Sequence, residues 1–220
     1  NLDPADGDMI SSHSSTTKRF FDSLLIRLSR STRVDGLWVG VSSGEERGTE
    51  ILRRLGEALL LIKTYDPYRY KRVLKETERL WVHLLPGYWA VWLPALRRCV
   101  VDPRFILSSS PEVVASAIVH EATHGKLSRR NVGYSEELRH RVEKACMRQE
   151  LAFASKIPSG DKLRQEIERR FALAPDFWAD EASRKRREVD EIAMARHAGI
   201  PDWLTRALLS FRGKMRGAQR

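Results

Sequence analysis

The sequence predicts a helix-dominated α+β fold, in which a single domain contains a small β-sheet. Apolar residues recur with helical periodicity along most of the chain, whereas one central region carries short apolar runs separated by turn residues. The chain has 220 residues, and 42% of them are hydrophobic, which is enough to build one substantial core. We therefore expect one domain of packed helices and a few strands.

The predicted helices lie on both sides of the strand region. Residues 17–30 place a row of apolar side chains on one helical face, and a short strand is expected at residues 37–41. Asp66 and Pro67 supply an N-cap and a first-turn proline for a helix. The remaining helices are predicted at residues 45–63, 67–75, 110–127, 135–157, 161–173, 175–198 and 201–211.

The strongest β signal lies in the middle of the chain. Two apolar runs, at residues 80–85 and 88–93, flank the dipeptide Pro86-Gly87, so we expect a hairpin with a tight turn. A further strand is expected at residues 96–101. This is also the most apolar part of the chain, but the turn residues interrupt it and it is short for a bilayer crossing, so no transmembrane segment is expected.

Charge and cysteine content narrow the class of protein. Lys and Arg total 39 and Asp and Glu total 29, which gives a formal charge of +10, and residues 184–220 carry more than half of this excess. Basic runs can bind nucleic acid or anionic surfaces, but they are more often solvated, and no recognition motif accompanies them here. The chain has two cysteines, Cys99 and Cys146, too few for a disulfide framework in a chain of this length, and we expect both to be buried free thiols.

The predicted organisation has three parts. They are a polar N-terminal segment at residues 1–16, one domain at residues 17–204 and a basic C-terminal tail at residues 205–220. The N-terminal segment lacks the apolar centre of a secretory signal, so we expect a cytoplasmic protein.

Three residues near the middle of the chain predict a chemical function. His120, Glu121 and His124 form the pattern H-E-x-x-H within the helix predicted at residues 110–127. Residues four apart lie on one face of a helix, so both imidazoles can reach a single metal ion. Glu121 lies about 100° round the helix from His120, where its carboxylate can hydrogen-bond a water on that metal. We therefore expect zinc, with Glu121 as general base.

The segment VASAIVHEATHGKL resembles the zincin metallopeptidases, in which the motif helix lies beneath a small sheet and the substrate pairs with an edge strand. The metzincin branch would need a glycine and then a histidine shortly after the second histidine, but Leu127 and Arg130 stand at those places. The resemblance is therefore to the gluzincin or thermolysin-type branch, which draws a glutamate ligand from a downstream helix. It implies Zn²⁺ as the cofactor, a zincin-like fold and a peptide or protein as the substrate.

The third ligand is expected in the helix at residues 135–157. Glu143 stands 19 residues after His124, on one edge of the buried stripe of the helical wheel, and we choose it as the third ligand. Glu150 lies on the same edge, two turns further along, and is the first alternative. His140 points away from the stripe but remains a candidate ligand, because other zinc proteases use a third histidine.

The resemblance to the gluzincins breaks down at two supporting positions. In thermolysin-like enzymes an aspartate one turn after the glutamate ligand orients the first histidine, and Met147 stands there in this chain. An orienting carboxylate would have to come from elsewhere, with Asp102, Asp180 and Glu181 as candidates. The candidates for the donor that stabilises the oxyanion are Tyr134, His140 and His197.

Together these residues predict a zinc-dependent metallopeptidase that hydrolyses peptide bonds with a metal-activated water. His120, His124 and Glu143 would bind Zn²⁺ and leave one position for that water, and Glu121 would take its proton. The alternative is a non-catalytic module that zinc stabilises and that binds nucleic acid or another anionic partner through its basic C-terminal region.

Overall fold

The computed structural model describes residues 26–42, 46–197 and 200–206, which form the helix-dominated α+β fold that the sequence predicts. The strands are β1 (Arg30–Val34), β2 (Leu37–Val41), β3 (Arg79–Val82), β4 (Ala90–Leu93) and β5 (Arg98–Val101). The main helices are α1 (Gly48–Tyr65), α2 (Pro67–Glu76), α3 (Pro103–Ser108), α4 (Pro111–Arg129), α5 (Glu136–Ala154), α6 (Gly160–Phe171) and α7 (Asp180–His197).

The five strands form one mixed sheet in the order β1-β2-β3-β5-β4. The three central strands run parallel, and β1 and β4 are antiparallel strands at the two edges. β4 pairs with β5 from Ala90 opposite Val101 to Leu93 opposite Arg98. Its other side has no strand partner among the described residues, so it presents free backbone N–H and C=O groups.

The predicted hairpin around Pro86-Gly87 is wrong. β3 and β4 both pair with β5, which lies between them, so residues 83–89 form a crossing loop, here called the β3–β4 loop. The turn itself is present, because the N–H of Tyr88 donates to the carbonyl of Leu85 at 3.5 Å across Pro86-Gly87, and the Asp102 carboxylate accepts the N–H of Leu85 at 2.9 Å. Turn residues specify a local bend, whereas the choice of neighbouring strand depends on contacts between residues distant in sequence.

The two ends of the chain lie mostly outside the described residues. This applies to the predicted polar segment at residues 1–16, to most of the helix predicted at residues 17–30 and to residues 207–220 of the predicted tail. At the described end of that helix, residues 26–28 are helical and β1 begins at Arg30, so the helix ends earlier than expected.

Helix α4 lies at the centre of the molecule, packed against α1, α2, α5 and the sheet. Ser110 in an extended conformation and Pro111 at the first helical position start it, as the sequence predicts. Its buried apolar side chains, which join the core, are Val114, Ala115, Ile118, Val119 and Ala122. Two polar side chains of α4, Ser116 and His120, face α5 and contact Glu150 there. Within the described part of the chain, no helix has the length and apolar character needed to cross a membrane.

Candidate metal centre

The three residues of the H-E-x-x-H motif lie together on α4; the first two are buried, and the side chain of His124 is 14% exposed. His120 is 9% exposed and Glu121 is 6% exposed. The Nε2 atoms of His120 and His124 are 3.1 Å apart, so both imidazoles point at the same place. The helical spacing of the motif therefore has the geometric result that the sequence predicts.

Glu143 reaches the same place from α5. Its Oε2 lies 3.2 Å from Nε2 of His120, and its Oε1 lies 3.4 Å from Nε2 of His124. Zinc bonds of about 2.0–2.1 Å put neighbouring ligand atoms of a tetrahedral site roughly 3.3 Å apart. The three side chains thus have the separations of zinc ligands. We call His120, Glu121, His124 and Glu143 the metal cluster.

Buried negative charge surrounds the metal cluster in excess. Glu121, Glu143 and Glu150 are each at most 6% exposed, and Arg170 is the arginine that pairs with them in the described part of the chain. With neutral histidines, three carboxylates and one guanidinium leave a net charge of −2. Uncompensated buried charge is strongly unfavourable, so a divalent cation among these residues would balance the site.

These charges shift the pKa values of the cluster. Burial opposes the ionisation of Glu143, but hydrogen bonds with His120 and His124 outweigh burial and hold the pKa of this carboxyl far below its usual range. Burial also disfavours the charged form of His120, but the carboxylates of Glu150 and Glu143 raise the pKa of His120 well above that of a free histidine. The cluster therefore favours positive charge at the imidazoles, which a metal cation can supply in place of a proton.

Glu150 fixes the orientation of His120. Its Oε1 accepts a hydrogen bond from Nδ1 of His120 at 2.7 Å. Its Oε2 accepts from the Ser116 hydroxyl at 2.7 Å and from the Arg170 guanidinium at 2.6 Å. An ionised carboxylate can only accept, so Nδ1 of His120 carries a proton, and Nε2, which is directed at Glu143, is the nitrogen that a metal ion would bind in place of a second proton.

The orienting carboxylate is therefore not one of the three candidates predicted for this role. Asp102, Asp180 and Glu181 form their bonds elsewhere, at the start of α3 and near the start of α7. Glu150 is expected from the sequence as an alternative ligand, because it lies two turns after Glu143 on the same edge of α5. Which histidine nitrogen it meets depends on how α4 and α5 pack, and a helical wheel does not give this.

Cys146 also lies beside the metal cluster, although the sequence indicated only a buried thiol. One ring nitrogen of His120, one of His124 and the Cys146 sulfur all lie within 4.8 Å of one another, so this trio could hold a metal ion. The oxygens of Glu143 lie 3.2 and 3.4 Å from the two imidazoles, which is the separation expected of nitrogen and oxygen ligands on one zinc ion. Burial raises the pKa of the Cys146 thiol and disfavours the thiolate that a metal needs. Glu143 is therefore the better third ligand.

Tyr134 is the predicted oxyanion donor that the structure brings to the metal cluster. Its hydroxyl donates a hydrogen bond to Oε1 of Glu143, and its ring stands edge-on to His124 with the ring centres 5.3 Å apart. His140 is not a member of the metal-capable group found in the described part of the chain. The side chain of His197 lies outside the described atoms.

Glu121 leaves one buried oxygen without a protein partner. Its Oε2 is inaccessible to solvent and forms no hydrogen bond within residues 26–42, 46–197 and 200–206. Burial raises the pKa of this carboxyl, and the nearby charges of His124 and His120 act in the opposite direction. A buried acceptor beside the convergence point of the ligands suits a water molecule bound at the metal.

The open edge of the sheet lies beside the metal cluster. β4 packs along α4, and a Cβ added to Gly125 would lie 3.0 Å from the indole ring of Trp92. Gly125 directly follows His124 in the sequence. The edge strand β4 therefore packs, through its Trp92 side chain, against the turn of α4 that carries the second histidine of the motif.

The metal cluster thus consists of side chains from α4 and α5. Glu150 forms a hydrogen bond with its first histidine, and the edge strand β4 packs against α4 beside it. The histidine pair and Glu143, which converge here, are the three residues chosen as ligands in the sequence analysis. Comparisons of this chain with models of protein families, with curated proteins and with solved structures find no match.

Proposed function

We propose that this protein is a zinc-dependent metallopeptidase of the gluzincin type. The observation that carries the proposal is the convergence of His120, His124 and Glu143, whose ligand atoms are 3.1 to 3.4 Å apart in a site with excess negative charge. Catalytic zinc sites use three such nitrogen and oxygen ligands and keep one position open.

The proposed chemistry is divided between the metal and Glu121. Zinc, when bound, lowers the pKa of a coordinated water to about 7 and polarises the carbonyl of a substrate. The Oε2 atom of Glu121 has no partner among the described residues and can accept a proton from the attacking water. Glu121 then gives this proton to the leaving amine, which returns the carboxylate to its ionised form.

Two further residues support this chemistry. Glu150 keeps the Nε2 lone pair of His120 available by holding the imidazole proton on Nδ1. Tyr134 is 49% exposed, so its hydroxyl can move from Glu143 to a substrate oxygen without disturbing the core. We assign Tyr134 the role of stabilising the oxyanion.

The substrate of this proposed enzyme is an extended peptide. The free edge of β4 offers backbone donors and acceptors that an added strand can pair with, independently of the side chains of that strand. β4 borders α4 next to His124, so a peptide paired with β4 passes the metal cluster. The fold expected for a zincin, a motif helix beneath a sheet with an accessible edge strand, is consistent with this binding mode.

Metal analysis tests the ligand set. Wild type should bind one zinc ion per chain, as measured by mass spectrometry after dialysis against zinc. Glu143→Ala should lose it, whereas His140→Ala and Cys146→Ala, matched changes on the same helix, should retain it. A wild-type protein without zinc, or a Glu143→Ala variant that keeps zinc at full occupancy, would overturn the proposal.

Hydrolysis of an unstructured protein such as casein tests the role of Glu121. Glu121→Gln preserves the shape of the side chain but cannot take the proton, so we expect zinc to stay bound while the rate falls about 10²- to 10⁴-fold. Equal rates for wild type and Glu121→Gln would assign the hydrolysis to a contaminant and remove the enzyme proposal.

The alternative function, a zinc-stabilised module that binds nucleic acid, has less support. In the described part of the basic region, Lys185 pairs with Glu181 at 2.9 Å and the Arg186 guanidinium lies 4.1 Å from the centre of the Phe177 ring. These contacts give the basic side chains local structural roles. Steeply salt-dependent binding of DNA or RNA, without any hydrolysis, would favour the alternative. A cytoplasmic location stays a prediction.

A further inference from the structure

A cavity of about 300 Å³ opens between the β3–β4 loop, α3 and α7. Its aromatic walls are Tyr88, Trp89 and Phe105, and Asp102, Arg104 and Asp190 form its polar side. None of these residues belongs to the metal cluster. A volume of this size is at the lower limit for small-molecule sites and suits one large side chain.

The cavity lies at the N-terminal end of the edge strand. Trp89 directly precedes β4, and its carbonyl accepts the backbone N–H of Asp102 at 2.9 Å, which extends the pairing of β4 with β5 by one residue. Trp92, which contacts Gly125 beside the metal cluster, lies three residues further along the strand. Three residues of extended chain cover about 10 Å, so a peptide on β4 reaches from the cluster to the cavity.

The polar groups of the cavity satisfy one another. Arg104 donates to Asp102 at 2.9 Å and to Asp190 at 2.9 Å, and Asp190 also accepts the backbone N–H of Gly87 at 2.8 Å. Asp102 further accepts the N–H of Leu85. Two carboxylates and one guanidinium leave a net charge of −1. The arginine that lines the cavity is therefore already paired, and the Arg187 guanidinium lies over one of the aromatic walls, 5.8 Å from the centre of the Tyr88 ring.

The surface of the cavity that a ligand can contact is mainly aromatic. Trp89 and Phe105 stack with ring centres 5.6 Å apart and planes inclined by 7°. Even so, Trp89 remains 58% exposed and Tyr88 remains 39% exposed. Burial of these exposed rings by an apolar side chain of a ligand would be favourable, because it removes aromatic surface from water.

We infer that this cavity is a substrate subsite that takes one large apolar side chain, such as that of Phe, Leu or Met, from an extended peptide lying along β4. The inference rests on the proposed peptidase function and adds a sequence preference to it. The preferred side chain lies two or three residues from the bond that is cut, because the cavity is about 10 Å along the strand from the metal cluster.

Capped alanine hexapeptides that carry one Phe or one Asp, moved through every position, test the subsite. Wild type should cleave the Phe series at a fixed distance from Phe, with kcat/KM at least about tenfold above the Asp series. Trp89→Ala should reduce this ratio about tenfold without loss of zinc. Trp203→Ala, which removes an indole that is 70% exposed and does not line the cavity, is the control and should leave the ratio unchanged.

A binding measurement distinguishes an error in the subsite from an error in the proposed function. Fluorescein-labelled Phe and Asp peptides are titrated against Glu121→Gln and against the double variant Glu121→Gln/Trp89→Ala. Tighter binding of the Phe peptide, lost in the double variant, supports the subsite even if wild type hydrolyses nothing. Equal Kd values for the two peptides, or an equal effect of Trp89→Ala on both, would overturn the subsite while leaving zinc-dependent hydrolysis intact.

Two glycines provide a second, independent pair of variants. Gly87 and Gly36 both have positive φ, +75° and +86°, so alanine strains the backbone at both. A Cβ at Gly87 would lie 2.7 Å from the Arg187 backbone of α7, whereas Gly36 has open space. Gly87→Ala should therefore displace α7, which holds Asp190, and lower the Phe preference, while Gly36→Ala should not. An unchanged Phe preference in Gly87→Ala would exclude α7 as a wall of the subsite.

Discussion

Two buried clusters of charge contact α5, and they differ in how their charges balance. In the first, the fully buried Asp66 caps α2, receives hydrogen bonds from the backbone and side chain of Arg69, and pairs with Lys156 at 3.1 Å. Arg69 also donates to Gln149 of α5 at 3.1 Å. One carboxylate thus faces two cations. In the metal cluster and its surroundings, three carboxylates face one guanidinium.

The comparison separates a cluster whose carboxylate is fully paired from one that keeps an unpaired acceptor. The Asp66 oxygens both have basic partners, so the cluster holds α2 to α5 and leaves no carboxylate oxygen free to accept from a ligand. In the metal cluster, Oε2 of Glu121 has no partner in the described part of the chain, and three ligand atoms converge. Buried charge is therefore informative about function when it is uncompensated and directed at one place.

The largest expected effect comes from removing a ligand of the metal cluster. His124→Ala should abolish zinc-dependent hydrolysis and weaken zinc binding at least about 100-fold. At a zinc concentration of 100 times the wild-type Kd, wild type should gain about 2.7 kcal/mol of stability, and the variant should gain almost none. Thermal unfolding with zinc and with a chelator measures this. A zinc-dependent Tm in His124→Ala equal to that of wild type would contradict the assignment.

Breaking the Asp66 cluster should affect folding and leave the metal site alone. Asp66→Asn leaves Arg69 and Lys156 without their carboxylate, and we expect the free energy of unfolding in urea to fall by about 3 kcal/mol. Asp35→Asn is the matched control, because Asp35 pairs with Lys63 at 2.8 Å but is 42% exposed, so its loss should cost under about 1 kcal/mol. If Asp66→Asn lowered zinc affinity as strongly as His124→Ala, the two clusters would not be independent.

A smaller effect should follow from changing the group behind the ligand. Glu150→Gln keeps the volume of the side chain but weakens its hold on His120, and we expect zinc affinity to fall about 10- to 100-fold. Competition with a coloured chelator measures the change in Kd. An unchanged Kd would show that Glu150 is structural only, like Asp66.

The smallest effect concerns pH. Burial opposes ionisation of Asp66, but the hydrogen bonds from Arg69 and Lys156 lower the pKa of this carboxyl below 3.8 in the folded protein. The ion pair therefore contributes stability above the pKa of the unfolded chain, and this stability is lost as pH falls through the lower folded value. In the presence of chelator, the stability of wild type should fall more steeply than that of Asp66→Asn as the pH is lowered from about 5 through the folded pKa of Asp66. Parallel curves for the two proteins would exclude this contribution.

The convergence of the two histidines could be predicted from helix geometry, whereas Glu143 could be selected only as one of three candidates on the next helix. His120 and His124 are one turn apart on α4, and Glu143 lies at the edge of the buried stripe of α5. The roles of Glu150 and Cys146 could not be predicted in the same way. They depend on the distance and rotation between two helices, which are fixed by side chains from several elements.

The strand region shows the same limit. Apolar runs correctly indicate that β3, β4 and β5 exist, but their order depends on pairing across the whole sheet. The cavity beside Trp89 also has no local signal, since Phe105 and Asp190 join it from elements far along the chain. Periodicity finds elements and ligand pairs, whereas clefts and neighbours depend on long-range packing.

The missing side chain at Gly125 acts as a spacer between the motif helix and the edge strand. A methyl group there would lie 3.0 Å from both the Trp92 ring and the Cβ of Glu76, so one of these neighbours or α4 itself would have to shift by a few tenths of an ångström. The same residue is joined covalently to His124, so a shift of α4 would also turn an imidazole. The spacing between α4 and β4 and the orientation of the His124 imidazole therefore both depend on the residue at position 125.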